Sequence, residues 1–148
     1  IRSAAITALT MTSTEPAKIV PPVIELLRDR EWSVRQTAAA ALGRIGEPAK
    51  SAVPKLFELL SSEEDKEAAR NALRAIDAVG PDALPILIKS LKSEDTRLRF
   101  YAVFYLGKLG PEAKAALPEL NKLVNDESSR FRRFLEKTIG DVKGEEKH

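Results

Sequence analysis

Residues 34–46 read Val-Arg-Gln-Thr-Ala-Ala-Ala-Ala-Leu-Gly-Arg-Ile-Gly, and residues 98–110 read Leu-Arg-Phe-Tyr-Ala-Val-Phe-Tyr-Leu-Gly-Lys-Leu-Gly, 64 positions later. A weaker copy, Ala-Arg-Asn-Ala-Leu-Arg-Ala-Ile, occupies 69–76, halfway between. A unit of about 32 residues is too small to bury an apolar face alone and must bury it against its neighbours. The repeat therefore predicts an all-α fold, a right-handed solenoid of stacked antiparallel helix pairs. Chains of this kind present surfaces more readily than they build chemical pockets.

Each unit reads as two short helices. Pro21, Pro54, Pro85 and Pro118 mark the first, because proline is tolerated in a first turn whose N–H groups have no intrahelical partner. Polar turns follow at 29–31, 61–63, 93–95 and 126–128. The second helix carries an apolar stripe, Val34, Ala38, Ala41, Leu42 and Ile45, repeated as Leu98, Ala102, Tyr105, Leu106 and Leu109, then as Phe131, Leu135, Thr138, Ile139 and Val142. Gly43, Gly107 and Gly140 share an interior position, which predicts close approach of a neighbouring backbone. Gly46 and Gly110 are expected to close their helices in a left-handed cap. In the third unit Lys66 aligns with Arg35, and Gly80 predicts a longer exit. Helices are expected near 1–12, 17–28, 33–45, 52–61, 64–77, 82–92, 96–109, 114–125 and 129–142. They form one domain over 1–143, with a polar tail at 144–148.

The pattern Pro-x-Leu/Val-x-x-Leu-Leu followed by Val-Arg-x-x-Ala-Ala-x-Ala-Leu-Gly-x-Ile-Gly resembles HEAT repeats, closest to the short subclass named for phycobilisome lyases. The resemblance covers residues 1 to about 142. It implies a non-enzymatic scaffold that binds a protein partner through the concave face. It also implies that the recurrent Arg2, Arg35, Arg99 and Arg132 pair with acidic turn residues such as Asp29, Asp95 or Asp126.

Composition narrows the function further. The only histidine is His148 and there is no cysteine, so His- and Cys-based metal sites, cofactor attachment through thiols, and Ser/His or Cys/His nucleophile systems lack their groups. No catalytic, cofactor-binding or metal-binding residue is expected. Absence of cysteine fits a reducing, cytoplasmic setting, and no apolar run reaches the roughly 20 residues that span a bilayer. The formal net charge of +2 argues against nucleic acid as the main partner. Residues 1–9 match 34–42, so the chain opens inside a repeat and reads as part of a longer repeat protein or assembly.

The face opposite the stripe supplies the candidate site. Its rows are Ser33, Thr37, Ala40 and Arg44; Glu64, Ala68, Asn71 and Ala75; Arg97, Tyr101, Phe104 and Lys108; and Arg130, Phe134, Lys137 and Asp141. The residues expected to contact a partner are Arg44, Arg97, Tyr101, Phe104, Lys108, Arg130, Phe134 and Lys137. Two explanations of the rings stay open here: a recognition patch, or a cap over the last helices. Nucleic acid is the alternative partner, with Arg97, Lys108, Arg130, Arg133 and Lys137 on phosphates and Tyr101 or Phe104 stacked on a base, resembling HEAT-like alkylpurine glycosylases. A bilin lyase subunit or chaperone follows only from the subclass. Trp32 is expected to fold over its own helix pair.

Overall fold

Where the alanine-rich stretches recur, α-helices form and their stripes turn inward. The computed structural model describes residues 2–60, 65–126 and 129–145, with backbone alone for Lys66, Ala69, Asp126, Ser129 and Arg130. The expected turn residues at 61–63 and 127–128, together with Glu64 and His148, lie outside the described residues. The helices are α1 (Arg2–Thr12), α2 (Pro16–Glu25), α3 (Trp32–Ile45), α4 (Val53–Leu60), α5 (Lys66–Val79), α6 (Leu84–Ser90), α7 (Thr96–Leu109), α8 (Leu117–Asp126) and α9 (Ser129–Lys143). No strand occurs among the described residues, and the fold is an all-α solenoid of helical repeats.

Short 3₁₀ segments introduce most first helices, at Glu47–Ala52, Gly80–Ala83 and Gly110–Ala116. Pro54, Pro85 and Pro118 then stand second in α4, α6 and α8, as the missing proline N–H requires. Pro21 departs from this pattern. Pro16 opens α2, Pro21 and Pro22 lie inside it, and the helix tightens to a 3₁₀ turn at Leu26–Arg28.

The chain resolves into two compact units, Ile1–Ala83 and Leu84–His148. In the first, α3 packs between α1 and α5, while α4 lies against α5. Its core holds Val34, Ala38, Ala41, Leu42, Leu56 and Phe57, all essentially without solvent exposure. Each of the larger side chains contributes about 1.5–3 kcal/mol by leaving water. In the second unit α7 and α8 pack on α9. Ala102, Tyr105, Leu106, Leu120, Leu135 and Val142 are buried there.

The third repeat sits in a different register from the one the sequence match suggests. Ala68, Ala72, Ala75, Ile76 and Val79 are buried in the pattern of Val34, Ala38, Ala41, Leu42 and Ile45, a shift of 34 residues. Matching Lys66 to Arg35 implied 31. An alanine-rich helix matches its neighbour in several registers, and packing selects the one that buries Ile76 and Val79. Ala68 and Ala75 are therefore core residues. The opposite row becomes Glu67, Asn71, Arg74 and Ala78, and Ala69 takes the recurrent arginine's place.

The helix ends also differ from expectation. Gly46, Gly80 and Gly110 have φ of 72°, 63° and 57°, but ψ near −132° to −140° rather than the left-handed helical value. Pro81 and Pro111 exclude helical ψ at the preceding glycine, and only glycine enters this mirror-image extended region readily. The left-handed type of closure appears instead at Gly144 (φ 76°). There Glu145 N–H donates to the Gly140 carbonyl (3.0 Å) and Gly144 N–H to that of Asp141 (3.1 Å). The tail thus begins as the cap of α9.

Candidate functional site

Arginine near the start of a second helix ties neighbouring repeats together in the first unit and braces its own turn in the second. The Arg2 guanidinium reaches Asp29 at 3.2 Å and Glu31 at 2.8 Å, about one repeat ahead. Arg35 reaches Asp65 at 3.1 Å and also donates to the carbonyls of Asp29 (2.8 Å) and Arg30 (3.1 Å) in its own turn. Arg99 makes the same backbone contacts, to Ser93 (2.8 Å) and Glu94 (3.2 Å), and Arg132 Nε donates to Val124 (3.0 Å). These contacts give the recurrent arginine a structural role. Asp65 is the hub: at 5% exposure it caps α5 by accepting from Ala68 N–H at 3.0 Å and also accepts from Gln36.

A parallel link joins the first helices. Arg28 donates to both carboxylate oxygens of Glu58, at 2.9 and 3.2 Å, and Lys55 adds a contact at 3.2 Å. Partial burial alone would raise the Glu58 pKa. The hydrogen bonds and charges of Arg28 and Lys55 outweigh it and hold the carboxyl below its ordinary value.

Most of the expected contact residues lie in the second unit, on α7 and α9. Phe104 is 40% exposed, while Tyr101 and Phe134 are half-buried. Lys108 Nζ stands 5.7 Å from the Phe104 ring centre and 5.4 Å from that of Tyr105, a cation–π geometry. Arg97 pairs with Asp95 at 3.7 Å and Lys137 with Asp141 at 3.6 Å, both cations remaining largely in solvent. Arg44 belongs to the first unit, exposed on α3. The side chain of Arg130 lies outside the described residues.

Sequence reasoning missed Phe100, which is 43% exposed. Its ring stacks on Phe134 at 5.1 Å and meets Tyr101 edge-on at 5.6 Å, and Phe131 approaches Phe134 at 6.1 Å. Phe100 takes the repeat position held by Ser3, Gln36 and Arg133. An aromatic at a position otherwise polar was the available signal. Trp32, at 61% exposure, does not fold over its helix pair, because the first position of α3 projects it beyond the packed turn.

Among the described residues, no group of three His, Cys, Asp or Glu side chains could hold a metal ion, and no helix is long and apolar enough to cross a membrane.

Residues 1–53 and 53–140 match the family model described as HEAT repeats. The match is to HEAT repeats at large and does not select the lyase-type subclass. A HEAT repeat-containing taxis protein of Halobacterium salinarum is 27% identical over 142 residues, covering 83% of this chain and 35% of that protein. The chain thus spans about a third of that relative's length. Two crystal structures of engineered proteins are also similar. One is 22% identical with a TM-score of 0.46, over 95% of this chain and 72% of that one. The other is 20% identical with a TM-score of 0.45, over 96% and 47%.

Proposed function

The chain belongs to the HEAT-repeat family, whose members commonly mediate protein–protein interaction, and from that premise we propose that it is a non-enzymatic binding module docking a protein through the aromatic–basic face of α7 and α9. One observation carries the reading: Phe100 and Phe104 keep 43% and 40% of their surface in water. Rings that served only to close the core would be covered. Exposed aromatics beside an arginine match the composition of binding interfaces, and the neighbouring lysines add positive charge. Lys108 lies over the Phe104 ring, Arg97 and Lys137 add charge on the same two helices, and Tyr101 and Phe134 pack against the Phe100 ring. The Halobacterium relative named as a taxis protein is about three times as long, so that role is not carried over to this chain.

Phe104→Ala separates binding from capping. A recognition ring predicts loss of partner capture by at least about 1 kcal/mol, with stability lowered by no more than about 1–2 kcal/mol because the ring is partly in water already. A capping ring predicts a cavity cost of about 3–5 kcal/mol. Affinity capture from a lysate of the source organism with wild-type and variant bait, paired with thermal melts, reads both quantities. A large stability loss with partner capture unchanged would remove the patch.

A further inference from the structure

The first unit carries a second recognition feature with different chemistry. Ala40, Gly43 and Arg44 on α3, with Asn71 and Arg74 on α5, line a cleft of about 240 Å³. Its floor is kept low by Ala40 and Gly43, where the helices approach so closely that a Cβ on Gly43 would lie 3.4 Å from the Ala75 backbone. Two arginine side chains line it from opposite helices, and no carboxylate lines it among the described residues. Among the described residues the guanidinium groups of Arg44 and Arg74 make no hydrogen bond or ion pair, as is also true of Arg30 but not of Arg2, Arg28, Arg35 and Arg70 of the same unit. Asn71 is anchored by donating to the Gln36 carbonyl at 3.3 Å, which fixes its amide at the cleft wall.

We infer that this cleft is an oxyanion-binding site for a carboxylate side chain of an acidic peptide segment. Guanidinium forks match carboxylates in shape and charge. Two cations without a carboxylate partner on one cleft leave a local positive field that an acidic ligand neutralises. The volume falls below the roughly 300–1,000 Å³ of sites that enclose drug-sized molecules, so it suits one inserted side chain. The site shares no residue with the aromatic face of the second unit and does not depend on it.

The test is a titration of the 15N-labelled protein with a ten-residue glutamate peptide at low salt, with a glutamine decamer and inorganic phosphate as separate arms. The glutamate peptide is expected to shift the side-chain Nε–Hε resonances of Arg44 and Arg74. R44Q/R74Q should weaken it about tenfold or more, while the charge-matched K18Q/R30Q pair changes it less than about twofold. Ala40→Leu, which fills the floor and keeps both charges, should weaken it comparably. Thermal melts establish that these surface variants stay folded. Equal losses from both charge pairs, or undiminished binding by Ala40→Leu, would reduce the effect to diffuse electrostatics and overturn the inference. Binding of phosphate without the glutamate peptide would overturn it as well. Phe104→Ala should leave this titration unchanged, so failure here and failure of the aromatic face are separable.

Discussion

Glycine positions that look equivalent in the repeat behave differently at the level of single atoms. A Cβ on Gly43 would meet the Ala75 backbone at 3.4 Å, whereas one on Gly107 would meet side chains, Thr138 at 3.5 Å and Asp141 at 3.8 Å. Backbone approach therefore explains Gly43 alone. Gly107→Ala should raise stability by up to about 1 kcal/mol through helix propensity, and Gly43→Ala should gain clearly less. Gly46→Ala should cost at least about 1 kcal/mol, since φ of 72° excludes an ordinary side chain. Urea unfolding of the three variants checks the order, and a stabilising Gly46→Ala would contradict the cap geometry.

Between elements, ion pairs that reach about one repeat ahead add to the apolar packing. Asp65 joins α3 to α5 while capping α5, and its removal leaves Arg35 without its ion-pair partner and Ala68 N–H without its acceptor. Asp65→Ala should cost about 2–4 kcal/mol, against about 1 kcal/mol or less for the exposed Lys50→Ala. Glu58 adds a pH dependence. Its folded carboxyl titrates below the ordinary range, so its contribution is complete above that range and is lost as pH falls through the folded value. Melting temperature should drop from about pH 5 downward, and Glu58→Gln should remove a modest part of that slope, modest because the side chain is half in solvent. An unchanged slope would dispose of the Arg28–Glu58 link as a stabilising pair.

At the scale of the molecule, stacked repeats transmit packing only to their neighbours. Leu42 is fully buried on α3, between α1 and α5. Leu42→Ala should cost about 2–5 kcal/mol, and amide exchange should rise first in α1, α3 and α5. Protection in α9 should fall least. A uniform loss of protection across all helices would mean that the repeats unfold as one cooperative body.

The amino-acid sequence by itself determined the helices, their pairing and the family, because apolar periodicity and proline placement are local and recur. It also showed that His- and Cys-based site chemistries lack their groups, since the sequence has one histidine and no cysteine. Pairing of the recurrent arginines with acidic turns, which the family resemblance implied, is seen for Arg2 and Arg35, whereas the contacts described for Arg99 and Arg132 are to backbone carbonyls. The register of the third repeat did not follow from the sequence, because Ala-rich segments slide past one another at almost equal cost until Ile76 and Val79 find a neighbour to bury against. Arg74, which the sequence register hid, was brought to the cleft by that same shift. The stacking of Phe100 on Phe134 joins rings 34 residues apart on two helices, a contact that only side-by-side packing of α7 and α9 creates. Exposure was likewise decided in three dimensions: Trp32 and Phe104 are apolar side chains that burial would favour, yet they keep 61% and 40% of their surface in water.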